Sequence, residues 1–384
     1  MRRRGFLAAG CAYCAALASH AAAQQQWVAP ARFTKPDLAT DEGGLWAMMD
    51  REETRLRRSP FCVRDPQLHD YVQDIACRLA GEHCPDVRVY LVQTPLFNAN
   101  MAPNGMMQVW TGLMLRVENE AQLAAVLGHE MGHYLARHTV ERLRDVKSRS
   151  AFGQFLGLFG LAGAVGQLAV LASAFAYSRD QERDADRMGA ALMQKAGYDV
   201  AEASKVWANL LLEIKARPGG DSAGGPMFAT HPPPEEREET LKKIAAAAPG
   251  GETGRAKWIE KTHPFVHGWL ADEVRRGQHE ESIALLTRML GQAPGPEQAE
   301  YAYARGEVYR LRAKNNDLDL ALADYQSAVK AGSEPAETYR GLGVIYRQRK
   351  QVDDAKSSFA RYLEVAPNAP DAPMIKSYLE ELST

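Results

Sequence analysis

Apolar positions along this chain recur mainly every three to four residues, the spacing of a helix face. From Trp46 to Leu79 the pattern is helical, with Tyr71, Val72, Ile75 and Leu79 on one face. Val87 to Val92 alternates instead and is rich in β-branched residues, so it reads as a strand. The turn signal Pro103-Asn104-Gly105 leads into a second strand, Met106 to Thr111. Asn119, with Gln122 three residues later, has the form of a capping box and predicts a helix from Glu120 to Lys147. Further helices are expected from Arg179 to Ala196, stopped by Gly197, and from Glu235 to Ala248, stopped by Pro249-Gly250-Gly251. Residues 24–45 are rich in Gln, Pro, Gly and Ala and read as a loose lead-in, and Pro218 to Pro234 reads as a surface loop.

Beyond Gly251 the pattern repeats. Tyr339, Leu342, Gly343, Tyr346, Ala355, Phe359 and Pro367 stand at the spacings of a tetratricopeptide repeat, with small residues where the two helices of one hairpin cross. Gly306, Tyr309, Ala321, Tyr325 and Ala328 form a second copy with about three extra residues near Asn315. Gly277, Leu286, Met289 and Pro294 form a weaker third. An unrelated helical bundle is the alternative, since its period is also helical.

Ala151 to Tyr177 carries no formal charge over 27 residues, long enough to cross a membrane. It also holds five glycines, Gln154 and Gln167, and it lies between two parts of one candidate site. A buried or peripheral helical hairpin and a membrane-inserting element both remain open.

The N-terminus changes the compartment. Arg2, Arg3 and Arg4 precede a short apolar run and Ala21-Ala22-Ala23, the three regions of a signal peptide over residues 1–23, with a twin-arginine-like start. A buried N-terminal helix is the alternative, and Cys11 could instead be lipidated. Removing three arginines and no acids takes the net charge from −2 to −2 − 3 = −5. Export exposes the remaining Cys62, Cys77 and Cys84 to an oxidising environment. Three cysteines allow at most one internal pair, for which Cys77 and Cys84 are preferred. With 46 basic and 48 acidic residues and no basic stripe, nucleic acid is not expected as a partner. The length, 384 residues, suits two domains, placed at 46–250 and 251–384.

The chemistry centres on His129-Glu130-Met131-Gly132-His133. Residues four apart on a helix share a face, so the two imidazoles can converge on one zinc ion with Glu130 beside it as general base. Catalytic zinc takes three protein ligands and keeps one position open. Glu182 is the candidate third ligand, and Asp186, four residues on, could accept the free ring N–H of a ligating histidine. A solvated charged helix face is the bland reading of that run. His138 lies five residues after His133, where a longer three-histidine motif needs six, and reads as structural.

These motifs, with Tyr177 to Gly189 and Thr230-His231-Pro232, resemble the zinc metallopeptidases that include HtpX, the CAAX prenyl endopeptidases and the mitochondrial Oma proteases. Asn98 to Gly105, leading to Thr111-Gly112-Leu113, is also similar, except that Asn100 and Asn104 replace an aromatic and a glycine. The resemblance covers roughly 45–245. Signal peptide and repeats together are most similar to the BepA-type periplasmic proteases. The resemblance implies a mainly α fold with a small β-sheet, an α+β gluzincin-like peptidase domain followed by an α-helical repeat domain. It implies one zinc per chain, proteolysis of misfolded or envelope proteins in the periplasm, and repeats that recruit clients or assembly machinery. It gives His231 and Arg237 roles in stabilising the transition state, although His231 could also act as a fourth ligand that closes the site. The competing reading is a non-catalytic repeat adaptor or chaperone with a structural or gated metal site. If Met106 to Thr111 is an edge strand, an extended substrate could pair with it.

Overall fold

A computed structural model describes residues 27–148, 177–219, 231, 234–292 and 296–383. The signal peptide, Cys11, the uncharged stretch to Phe175 and Ala176, and most of the 218–234 loop lie outside these residues. Residues 31–384 form the compact unit described below.

The expected helical run from Trp46 is two helices, α1 (Asp41–Arg58) and α2 (Pro66–Ala80). Helix α1 starts inside the supposed lead-in because Thr40 caps it through the Gly43 amide. The break after Arg58 was legible: Asp65 caps α2 and Pro66 takes its first turn, where a missing N–H costs nothing. A 3₁₀ turn, Gly81–Asp86, follows, and a disulfide joins Cys77 to Cys84 across it. Cys62 is free.

Three strands make the sheet: β1 (Arg88–Val92), β2 (Ala99–Met101) and β3 (Met106–Trp110). The order is β1-β3-β2, with β1 parallel and β2 antiparallel to β3. The condition for substrate pairing on Met106–Thr111, that it form an edge, is therefore not met: β3 is central and buried along its whole length. The two-residue spacing of buried Met107 and Val109 cannot distinguish a central strand from an edge, because Met106, Gln108 and Trp110 are buried as well, facing α1 through Leu45, Met49 and Leu56. Thr111 already belongs to the short helix α3 (Thr111–Arg116). Asn104, a departure from the family pattern, ties the turn before β3 to α1 by donating to Asp50 (2.9 Å) and Glu53 (3.1 Å).

Asn119 caps α4 (Glu120–Leu135) through the Gln122 amide as expected. The helix does not reach Lys147: it stops at Ala136 and restarts as α5 (His138–Ser148), with Arg137 at φ 59° between them. No glycine or proline marks this break. Arg137 is held in the left-handed region by an ion pair with Glu42 and by its guanidinium 5.3 Å over the Phe33 ring. Then come α6 (Arg179–Lys195), α7 (Ala201–Lys215) and α8 (Pro234–Ala247). Ser178 and Gln181 form a full capping box on α6.

After these come α9 (Arg255–Arg275), α10 (His279–Gln292), α11 (Pro296–Arg312), α12 (Asp317–Ala331), α13 (Glu337–Gln348), α14 (Val352–Val365) and α15 (Ala372–Glu381), over the stretch where repeats are expected. Three glycines here are crossing points, Gly306, Gly341 and Gly343: a β-carbon on Gly306 would stand 2.7 Å from the Tyr325 ring, and one on Gly343 2.4 Å from Phe359, whereas Gly277 has open space around it. Among the described residues no helix is long and apolar enough to cross a membrane.

Candidate metal centre

The centre is set by how closely α4 and α6 approach. Gly128 and Gly132 on α4 meet Gly189 and Ala185 on α6, and a β-carbon on Gly132 would stand 2.8 Å from the Ala185 carbonyl oxygen. Backbone-to-backbone contact of this kind is open only to glycine. It places one turn of α6, carrying Glu182 and Asp186, against one turn of α4, carrying His129 and His133.

Four side chains converge there: His129, His133, Glu182 and His231, each offering one ligand atom, all within 4.8 Å of one another. The Nε2 atoms of His129 and His133 are 3.1 Å apart. Glu182 lies 3.3 Å from His133 Nε2 and 3.5 Å from His129 Nε2. His231 Nδ1 is 2.7 Å from Glu182 and 3.3 Å from His129 Nε2. Glu130 sits beside them, its Oε1 3.6 Å from His231 Nε2. All five are at least 96 % buried, with exposures of 1 to 4 %.

Burial sets the charge states. It pushes His129 down to about 4, assisted by the Arg237 guanidinium, and holds His133 well below its ordinary value. Both are therefore neutral at pH 7, the form that ligates metal. Burial also pushes the Glu130 carboxyl up to about 7. Glu182 stays ionised against the same burial because the charge of His231, and hydrogen bonds from His133 and His231, favour its anion. The Glu182 carboxylate in turn, with Glu130 beside it, raises His231 against its own burial.

Asp186 accepts from His129 Nδ1 at 2.9 Å and from Arg237 Nε at 3.1 Å and Nη2 at 2.5 Å. The Arg237 guanidinium stacks 3.7 Å over Trp207. Two of its nitrogens are thus committed to Asp186, which is held down at about 2, its own burial being outweighed by Arg237 and His129. Nη1 has no hydrogen-bond partner and stands 3.7 Å from Glu182.

This donor set fits a divalent cation. The Nε2 atoms of two neutral imidazoles face each other, and Glu182 Oε2 and Glu130 Oε1 are buried without a hydrogen-bond partner. Unpaired buried carboxylate oxygens are costly unless a cation or substrate proton takes them. Sequence reasoning brought Glu182 and Asp186 to the histidines but missed the scaffold. Gly128-x-x-x-Gly132 was the available signal. Trp207 under Arg237 and the ring of Tyr177 on His133 had none.

Comparison with known proteins agrees with this arrangement. Residues 63–245 match Peptidase family M48, and residues 310–373 match the tetratricopeptide repeat family. Residues 63–245 belong to peptidase family M48. The M48 domain holds every residue of the centre, and the fold is the expected one, mainly α with a small sheet and a repeat region behind it. The chain is similar to a beta-barrel assembly-enhancing protease of Yersinia pestis, 26% identical over 404 residues that cover 91% of this chain and 81% of that protein. It is also similar to the mitochondrial metalloendopeptidase OMA1 of Arabidopsis thaliana, 33% identical over 162 residues, 42% of this chain but 32% of that one. The beta-barrel assembly-enhancing protease of Escherichia coli K12 is 28% identical over 43% of this chain and 38% of its own length. Apart from the Yersinia protein, the chain thus spans well under half the length of these relatives.

Proposed function

We propose that this chain is a zinc-dependent endopeptidase that hydrolyses peptide bonds of misfolded or misassembled proteins in the bacterial periplasm. The observation that carries the reading is the convergence of His129, His133 and Glu182 with Glu130 at their side. The three would hold one zinc ion per chain, since two neutral imidazoles and a carboxylate are the ligands of many catalytic zinc sites. Zinc bound there would polarise the scissile carbonyl and lower the pKa of water. Glu130, poised near neutrality, takes the proton of the attacking water and returns it to the leaving amine. Asp186 fixes the His129 tautomer, and Arg237 fixes Asp186, keeping Nη1 for the developing oxyanion. His231 Nε2 faces Glu130 from the other side and can serve the same charge.

Substrate would enter along β2. That strand is an edge of the sheet, and the Met101 backbone lies close enough to Glu130 to favour its anion slightly. An extended chain adding there is read through its backbone, which suits unfolded clients of varied sequence. Export to the periplasm is supported by the signal-like N-terminus, and envelope clients by the name of the Yersinia relative. The repeats would recruit a protein partner, with residues 151–177 as a candidate membrane contact and no part played by nucleic acid.

One observation favours a second reading. His231 supplies a fourth donor within the cluster, and four protein donors are the mark of a closed, structural or gated site. The count of ligands therefore no longer separates an enzyme from an adaptor, whereas Glu130 does. The test is zinc content and casein degradation by the full chain, with and without chelator, for wild type and Glu130→Gln. Metal retained with proteolysis lost in the variant is the expected result. A wild-type protein that binds zinc and cleaves nothing would favour the adaptor, and His231→Ala would then show whether that histidine holds the site shut.

A further inference from the structure

We infer that His138 and Tyr177 are positioning residues for His133, fixing its tautomer and ring plane so that Nε2 points at the metal. The inference rests on the zinc reading above and adds the residues that hold the second histidine. An imidazole that ligates through Nε2 must carry its proton on Nδ1, and that N–H needs an acceptor when buried. For His129 the acceptor is Asp186. His133 Nδ1 lies 2.9 Å from His138 Nδ1. Of the two ways to make that bond, only donation from His133 to His138 leaves His133 Nε2 bare toward Glu182 and His129.

An unbroken helix could not make this contact. At about 100° per residue, a residue five further on lies about 140° around the helix from His133. The break at Arg137 folds the ring back, and His138 ends 96 % buried with its centroid 5.1 Å from that of His133. The break is itself held from outside α4 and α5, by Glu42 at the start of α1 and by Phe33. Tyr177 completes the support: its ring lies flat on His133, centroids 3.7 Å apart at 14°, and its hydroxyl is 2.9 Å from Thr139 Oγ1. Thr139 follows His138 directly, so one turn after the break supplies both the edge and the face contact.

The experiment is zinc affinity of the full chain, measured by competition with a coloured chelator, for wild type, His138→Phe and His138→Gln. Phe keeps a ring without an acceptor, and Gln keeps an acceptor oxygen without a ring. The expected result is 10- to 100-fold weaker zinc binding in H138F and a loss of less than about threefold in H138Q. Melting of the metal-free proteins, followed in parallel, registers any loss of packing. Wild-type affinity in H138F overturns the inference, as does equal weakening of both variants, which would assign the effect to ring packing. Should H138F not fold, a loss above tenfold in H138Q overturns it. A wild type that binds no zinc defeats the metal reading itself, a distinct outcome.

Discussion

Two clusters of buried charge in this molecule are built on opposite rules. In the metal centre, Glu130, Glu182 and Arg237 each keep one buried polar atom unpaired. At the seam between α3, α7 and α9, Arg116 is equally buried, yet each of its three nitrogens has an acceptor: Nε in Glu213 at 2.7 Å, Nη2 in Glu273 at 3.0 Å and Nη1 in the Gly112 carbonyl at 3.0 Å. Ser282 Oγ and Arg276 Nη2 donate to the other Glu273 oxygen at 2.6 and 2.8 Å, and only at the rim does Arg276 Nε go without a hydrogen-bond partner. Closed networks join parts of a fold, whereas open ones await a ligand or a proton. The Arg116 seam thus fastens the peptidase domain to the first repeat helices, while the centre keeps its valences for chemistry.

The largest effect that can break this comparison is expected at Glu130. Glu130→Gln removes the base without disturbing a paired group, and should lower peptidase kcat by about 10²- to 10⁴-fold with zinc content and melting temperature nearly unchanged. Substantial activity in that variant would put Glu130 on the same footing as the seam. Arg116→Ala should do the reverse. It strands two buried carboxylates and should cost about 3–5 kcal/mol in chemical denaturation. Replacing Arg116, Glu213 and Glu273 together with apolar residues of similar volume should recover most of that loss, which no such replacement can do for the centre.

A smaller, sharper test addresses the scaffold that separates the clusters. Gly132→Ala forces α4 and α6 apart, because its β-carbon would meet the Ala185 carbonyl oxygen at 2.8 Å. The expected cost is about 1–3 kcal/mol, with weakened zinc binding, whereas the same change at Gly44, which has open space, should be nearly silent. A Gly132→Ala protein with full metal affinity would mean that ligand spacing does not depend on this crossing.

What the sequence disclosed divides along similar lines. Local signals were legible: the strand Val87–Val92, the Asn119 cap, the end of α6 at Gly197 and the small residues at repeat crossings each rest on chemistry within one element. The pair His129 and His133 was legible for the same reason, since helical geometry alone puts them on one face. The long-range terms were not. Nothing near Met106 says that strands lie on both its sides, and nothing near Ala136 says that Glu42 and Phe33 will hold Arg137 in a left-handed turn. For that reason His138 read as merely structural, whereas the structure sets it against His133.

The smallest predicted effect is a pH dependence confined to the seam. Burial alone would raise the Glu273 carboxyl, but the guanidinium groups of Arg116 and Arg276 and the hydroxyl of Ser282 more than offset it and hold its pKa below the ordinary value. A depressed folded-state pKa contributes stability that is complete above the unfolded carboxylate range and is lost as pH falls through the folded value. Glu273→Gln removes that contribution, so the gap between the melting curves of wild type and variant should be widest near neutrality and narrow on acidification. Metal-free protein is the right sample, because zinc would add its own pH dependence through His129, His133 and Glu182. A gap that stays constant as pH falls well below the ordinary carboxylate range would mean that Glu273 contributes shape and hydrogen bonding to the seam but no charge, and the contrast between closed and open clusters would then rest on Arg116 and Glu213.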